Sequence, residues 1–382
     1  MKVSGDWLSN PRTQSVLSML DSAGFTALVV GGCVRNALIG EPVADVDIAT
    51  DALPETVSDL AQKAGLRAVA TGIEHGTVTV VSGGEGFEVT SFRRDLHTDG
   101  RHAQVAFSAD LAQDAARRDF TMNALYARAD GTVLDPLGGV QDAIDRRLRF
   151  VGDPQARIAE DYLRILRFFR FHAQYGDPEQ GLDADALAAC AMNAAYLETL
   201  SRERIGAEMR KLLSARDPAP SVAAMALSGV LQAILPGADA RALPILVHFE
   251  GLTRRSWICR LAVIADSADL RLTRAELHDF RLVRDAFSSP AAPSALGYRF
   301  GADLAGDMVL GRAAVLESAP PADWQSEASR GAQARFPLKA ADLMPPLSGP
   351  ALGAALAKAE EYWIAQDFAP DRAELVQYLG LA

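Results

Sequence analysis

Hydrophobic and polar positions change rhythm about a third of the way along this 382-residue chain. Before Gly139 the apolar residues come in short runs. "ALVVG" (27–31), "DVDIA" (45–49), "TVTVV" (77–81) and "FEVTSF" (87–92) read as strands. Asn10-Pro11 is a helix cap followed by proline at the first helical position. The helix it opens runs to about Ala23, with Val16, Leu17 and Leu20 on its apolar face. Gly31-Gly32 predicts a tight turn, and "CVRNALIG" (33–40) a short helix closed by Gly40. "SGGEG" (82–86) is a hairpin connection. Beyond Gly139 strand signals fade. Residues 160–175 and 201–213 are helical, as is most of the chain after them, with proline-containing breaks near 217–220, 290–293, 319–321 and 345–350. No internal repeat is present. The fold class is therefore α+β, a mixed head followed by a long helical body.

Composition narrows this reading. No apolar run reaches the roughly 18 residues of a membrane span, and the N-terminus lacks the apolar stretch of a signal peptide. Cys33, Cys190 and Cys259 form neither a metal-spaced pair nor a disulfide framework, so a cytoplasmic location is expected. The net charge of −11 is unevenly spread. Residues 1–90 hold 5 basic and 11 acidic side chains, a balance of −6; residues 91–170 hold 13 and 12, or +1; residues 171–382 hold 20 and 26, or −6. The basic side chains concentrate where the motifs are densest.

Two acids in an apolar run raise the main chemical question. On a strand Asp45 and Asp47 share one face while Val46 and Ile48 point inward. Like charges there repel unless a cation lies between them. A solvent-facing edge strand would explain a bare D-x-D. Three neighbours point further: Gly31-Gly32 at a helix N-terminus, where free N–H groups hold phosphate oxygens; Arg35 one turn on; and Glu88 in mid-strand. Three carboxylates beside such a cradle suit Mg²⁺, and two such ions can stabilise both oxygens of an in-line phosphoryl displacement.

These residues also carry a resemblance. "GGCVRNALIG…DVDIAT", "TGIEHGTVTVV", "EVTSFRRD…DGRHAQVAFSADLAQDAARRDFTMNALYA", "DPLGGVQDAIDRRLRFVGDP", "EDYLRILRFFRF" and "SRERIGAEMRKLL" resemble, in order, the motifs of the class II nucleotidyltransferases. That group comprises CCA-adding tRNA nucleotidyltransferases and bacterial poly(A) polymerases. The resemblance covers roughly residues 8–213. It implies a nucleotidyltransferase head with a small mixed sheet (1–138), a helical neck that recognises the base (139–213), and a helical body and tail that bind tRNA (214–382). It implies Asp45, Asp47 and Glu88 as catalytic residues, with Asp45 and Asp47 holding Mg²⁺. It implies Gly31, Gly32, Arg35, Arg118, Asp119, Asn123, Asp161, Arg164 and Arg167 as nucleotide-binding, with Arg118, Asp119 and Asn123 on the ribose and phosphates. "RRDLHTDGRH" (93–102) looks like the family's flexible loop, and residues 336–368 look like the tail of proteobacterial members. Asn36 departs from the family, which commonly has Asp there.

On one helix spanning 160–175, Glu160, Arg164 and Arg167 fall within about 60° of each other, with Asp161 beside them. A Glu160–Arg164 pair at i,i+4 is the simplest reading. By resemblance, Asp161 and Arg164 instead form a protein template. Asp only accepts and Arg only donates. Cytosine and adenine present an amino donor beside a ring-nitrogen acceptor; uracil and guanine present the reverse. The expected activity is template-independent transfer of CMP and AMP from CTP and ATP to the tRNA 3′ end. A poly(A) polymerase, a partial CC- or A-adding enzyme and a non-catalytic RNA-binding protein are the alternatives. "GGCVRN" is not the dinucleotide-binding G-x-G-x-x-G.

Overall fold

The structure is a computed structural model describing residues 1–98, 103–251, 255–344 and 346–381. The chain groups into two compact units, Met1–Pro236 and Gly237–Ala382.

The first unit opens with helices α1 (Asp6–Ser9) and α2 (Pro11–Asp21). Asn10 caps α2, its side chain accepting the Arg12 N–H at 3.0 Å. Val16, Leu17 and Leu20 of α2 are buried, as the periodicity requires. Strand β1 (Leu28–Val30), helix α3 (Gly32–Ile39), strand β2 (Asp47–Thr50) and helix α4 (Pro54–Lys63) come next. Gly40 ends α3 in the left-handed region at φ 73°. Then come β3 (Arg67–Gly72), β4 (Thr77–Ser82) and β5 (Glu85–Ser91), with Gly83 and Gly84 turning the last hairpin at positive φ. Later additions are β6 (Arg93–Thr98), β7 (Ala103–Phe107), α5 (Leu111–Ala116), β8 (Tyr126–Ala127), β9 (Val133–Leu134) and α6 (Gly139–Ile144). Among the described residues seven strands form one mixed sheet in the order β3-β4-β5-β2-β1-β8-β9. The β2–β5 pair is parallel and every other pair antiparallel.

Two expectations change. The segment 93–102, read as a loop, is largely strand: β6 pairs with β7 as a separate two-stranded ribbon, and residues 99–102 lie outside the described residues. Its polar composition conceals the strand, because the ribbon is not a layer of the main sheet and needs no apolar alternation. The helix predicted over 160–175 is two helices, α7 (Pro154–Glu160) and α8 (Leu163–Tyr175). Asp161 interrupts them in an extended conformation, φ −153° and ψ 107°, and its Oδ1 accepts the Leu163 N–H at 3.0 Å. A short acidic side chain competes with the helix for backbone donors, so Asp caps better than it continues. Glu160 and Arg164 therefore sit on different helices.

Helix α8 is fixed by its aromatic face. Phe168 lies over Phe150 with centroids 5.6 Å apart, and Phe150 against Phe120 at 4.9 Å. Phe120 directly follows Asp119, so this cluster sets where that carboxylate sits relative to α8. Helices α9 (Ala184–Met192) and α10 (Arg202–Leu213) continue the unit. Among its described residues the second unit's regular elements are all helices, from Leu243–Glu250 to Arg372–Tyr378. Within it the Arg260 guanidinium, fully buried, grips Glu250 at 2.5–3.2 Å. Two of its helices touch backbone to backbone: a Cβ on Gly331 would fall 1.8 Å from the Ser294 carbonyl oxygen.

Gly139 opens α6 under the same constraint. A Cβ there would lie 2.1 Å from the Thr121 carbonyl oxygen, in a short 3₁₀ turn, Thr121–Asn123. Asp135 holds the helix start by accepting the N–H groups of Gly139 and Val140 at 2.8 and 2.9 Å. Gly139→Ala is expected to destabilise the protein by about 1–3 kcal/mol through overpacking against backbone. Gly353→Ala, in a helix with open space around it, should be neutral or slightly stabilising. Urea unfolding of both variants checks this.

Candidate functional site

The site begins where β1 runs out. Gly31 has φ 74° and ψ −120°, a backbone that only glycine adopts freely. Its N–H donates to the Leu125 carbonyl at 2.9 Å, which pins the turn to the start of β8. Helix α3 starts at the next residue, so its first-turn N–H groups face outward from the turn.

The carboxylates come from β2 and β5. Parallel register pairs Ile48 with Val89, so Asp47 and Glu88, each one residue earlier, are neighbours. Asp45 lies two residues before β2 begins, which corrects the expectation that strand alternation alone puts it beside Asp47. Val46 is only half-buried, whereas Ile48 is fully buried. All three acids are exposed. The Asp47 carboxyl is raised from its ordinary value, by displacement of water and then by Glu88 and Asp45, while Arg118 opposes the shift. Among the described residues no group of three His, Cys, Asp or Glu side chains is gathered closely enough to hold a metal ion. The acids are neighbours here, not a closed cage. As hard oxygen donors whose mutual repulsion disfavours the charged Asp47, they are a donor set that fits Mg²⁺. The nearby Cys33 thiol is pushed up to about 12 by burial and by Asp47, which makes it inert as nucleophile or ligand.

Arg35 is taken up by protein partners beneath the cradle. It is 4% exposed, donates to Asn123 Oδ1, and donates to Asn36 Oδ1 through Nε (3.1 Å) and Nη2 (2.8 Å). Its guanidinium carbon lies 3.8 Å from the Tyr175 ring centroid. Gly32 sits above it: a Cβ on Gly32 would be 3.6 Å from Arg35 Nη2. Asn36 also donates Nδ2–H to the Pro42 carbonyl at 2.7 Å. An aspartate could not make that bond, so the unusual residue at 36 is fully used.

The relay continues inward. Asn123 donates to Asp119 Oδ1 at 3.0 Å, and Phe120 N–H to the same oxygen at 2.8 Å. Arg167 Nε and Nη2 both reach Asp119 Oδ2, the former at 2.8 Å. Arg118 is held by Tyr126 and by Asp114, a buried carboxylate that also takes Arg117 Nε at 2.9 Å.

Asp161 and Arg164 are not paired with each other. Asp161 Oδ2 accepts from Arg204 Nη2 at 2.7 Å. Arg164 Nη1 donates to Glu160 Oε2 at 2.5 Å and to the Arg157 carbonyl at 2.8 Å. The Glu160–Arg164 ion pair thus forms although the two residues are on different helices. Sequence reasoning missed Asp114 and Arg157. Arg157 is buried and donates to the carbonyls of Arg117 and Arg118, fixing the backbone that carries Asp119. Both were visible only as ordinary helical pairs, Asp114 with Arg117 and Arg118, and Arg157 with Glu160.

Comparison with known proteins adds the family. Residues 27–149 match the family described as Poly A polymerase head domain, and residues 181–241 that described as probable RNA and SrmB-binding site of polymerase A. The chain belongs to the class II CCA-adding enzyme and poly(A) polymerase family. Human mitochondrial CCA tRNA nucleotidyltransferase 1 is 44% identical over 186 residues, 48% of this chain and 43% of that protein. The CCA-adding enzyme of Levilactobacillus brevis is 41% identical over 219 residues, 57% and 53% respectively. The matched part thus spans about half the length of these relatives. The crystal structure of the Bacillus stearothermophilus CCA-adding enzyme in complex with CTP aligns over 97% of both chains, with a TM-score of 0.72 and 27% identity. The Thermotoga maritima enzyme complexed with tRNA shares the fold, with a TM-score of 0.69 at 18% identity.

Burial alone would raise the Asp119 carboxyl; Arg167 and the Asn123 amide outweigh it and hold it down to about 2. A depressed folded-state value stabilises above the unfolded value near 3.8 and is lost as pH falls through 2. The wild type should lose about 2 kcal/mol from this group between pH 4 and pH 2. Asp119→Asn should lack that component when urea unfolding is followed against pH.

Proposed function

We propose that this protein transfers CMP and AMP from CTP and ATP to the 3′ end of tRNA without a nucleic-acid template. The observation that carries the reading is that Asp47 and Glu88 stand side by side on β2 and β5 while Arg118 borders the Gly31–Gly32 helix start. Likeness to a CTP-bound CCA-adding enzyme over nearly the whole chain supports it. In this reading residues 1–138 are the catalytic head, 139–213 the base-reading neck and 214–382 the tRNA-binding body and tail. Among the described residues no helix is long and apolar enough to cross a membrane; the proposed site of action is the cytoplasm.

Asp45 and Asp47 would hold Mg²⁺, which when bound neutralises charge on the transferring phosphoryl group. Gly31 shapes the turn, and the first-turn N–H groups of α3 from Gly32 onward bind the triphosphate together with the Arg118 guanidinium. Asp119 and Asn123 face the ribose, and Arg167 and Arg35 hold that pair in place. The terminal ribose hydroxyl of the RNA attacks the α-phosphorus, the bond to the β-phosphate bridging oxygen breaks, and pyrophosphate leaves. Glu88, beside Asp47, takes the hydroxyl proton.

Base choice falls to Asp161 and Arg164. Asp161 accepts the amino hydrogen of cytosine or adenine, and Arg164 donates to the adjacent ring nitrogen. Both are held elsewhere in the free protein, so base binding must exchange Arg204 for the amino group and Glu160 for the ring nitrogen. Uracil and guanine would leave those groups unpaired, which discriminates more strongly than shape.

Asp47→Ala is expected to abolish nucleotide addition while leaving tRNA affinity within a few-fold, since phosphate contacts elsewhere carry the affinity; near-normal single-turnover addition by the variant refutes the assignment. Arg164→Ala should raise UMP and GMP misincorporation by roughly one to two orders of magnitude relative to CMP and AMP, as the loss of a bidentate base contact would. Offering tRNA that lacks three, two or one terminal nucleotides with each NTP separately reads this out. It also separates CCA addition from poly(A), CC-only or A-only activity.

A further inference from the structure

We propose that Asp114 and Tyr126 are positioning residues that aim Arg118 at the Gly31 turn, where it grips the polyphosphate of the incoming nucleotide. The inference rests on the nucleotide-transfer reading and names what sets the geometry of its anion site.

Three polar side chains close a triangle. Arg118 Nε donates to Tyr126 Oη at 3.0 Å, and Arg118 Nη2 to Asp114 Oδ2 at 3.1 Å. Tyr126 Oη donates to that same Asp114 oxygen at 2.6 Å. A guanidinium is planar, so a hold on two of its three nitrogens fixes the direction of the third. That third nitrogen, Nη1, lies 3.5 Å from the point a Cβ on Gly31 would occupy. It therefore borders the cradle itself.

The supports are rigid and dry. Tyr126 is fully buried on β8, paired with Val30, the last residue of β1 before the turn. Asp114 is 1% exposed near the end of α5. Arg118 keeps 18% of its side chain accessible, as a group meeting a ligand must. Its charge also survives the clamp. Asp114 is shared between Arg117 and Arg118, so one carboxylate faces two guanidinium groups and a positive balance remains. Val30 is flanked by Asp47 on β2 and by Tyr126 on β8, which puts the clamp one strand away from the carboxylates as well as at the turn. A metal-bound polyphosphate is the ligand class that needs both at once.

Tyr126→Phe removes one oxygen and keeps the ring, so it tests aim with little effect on packing; Asp114→Asn tests the anchor. For Tyr126→Phe the apparent KM for CTP and ATP should rise about tenfold, the usual weight of a hydrogen bond to a charged group. Its KM for tRNA and its melting temperature should stay near wild type, and inhibition by inorganic tripolyphosphate with Mg²⁺ should weaken by a similar factor. Asp114→Asn should show the same split, more strongly. A Tyr126→Phe protein with wild-type melting, nucleotide KM and tripolyphosphate inhibition overturns the proposal. If the wild type adds no nucleotide at all, the nucleotide-transfer reading fails on its own. Calorimetric binding of Mg²⁺-tripolyphosphate then decides the positioning role: weaker binding to Tyr126→Phe supports it, and equal binding to both proteins refutes it.

Discussion

The Asp119 carboxylate is the contact on which the site depends. One oxygen takes a backbone N–H and the Asn123 amide; the other takes the Arg167 fork. Those partners belong to the 3₁₀ turn behind the glycine cradle and to α8. A buried charge in an apolar surround is tolerated only when each lone pair is engaged, and here the engagement joins two parts of the first unit. Asn123 passes the connection to Arg35, and Arg35 to Asn36 and the Pro42 carbonyl. Cradle, carboxylate loop and neck helix are thus one hydrogen-bonded body. Losing any member leaves a buried group unpaired, which costs more than the bond contributes.

The second organising constraint is electrostatic sharing. Arginines outnumber the carboxylates over residues 114–170, and three of the acids in and beside this region serve more than one of them. Asp114 holds Arg117 and Arg118, Glu160 holds Arg157 and Arg164, and Glu208 lies within 2.5 Å of Arg170 and 4.0 Å of Arg167. The arrangement keeps guanidinium groups ordered without cancelling their charge. A chain of net charge −11 can present a positive interior to a polyanion in this way.

Much of this was legible in the sequence, for identifiable reasons. The α2 cap, the buried β1, the turn at Gly31 and the start of α3 come from side chains that permit few alternatives. The break at Asp161 was not legible, because apolar periodicity on both sides reads straight through a residue that can either continue a helix or cap one. Strands β8 and β9 are two residues long, too short for a period to register. Arg35 lies in the expected turn, but its burial was not legible. Helical spacing locates a side chain on a face; only packing against Tyr175 and Asn123 shows that this face is the inner one. Asp114 and Arg157 carry no signal in the sequence beyond helical ion-pair spacing, and burial is what makes them structural.

The parallel pairing of β2 with β5 has a consequence for assembly. The chain leaves β2, passes through α4, β3 and β4, and returns by a hairpin before Glu88 reaches the side of Asp47. The acids are 41 positions apart in sequence, and no local element brings them together. Loop closure must be paid for before that neighbourhood exists. Repulsion between the two carboxylates opposes the β2–β5 pairing at this end of the strands. Divalent cations, by relieving that repulsion, would act on the folding of the head as well as on its chemistry.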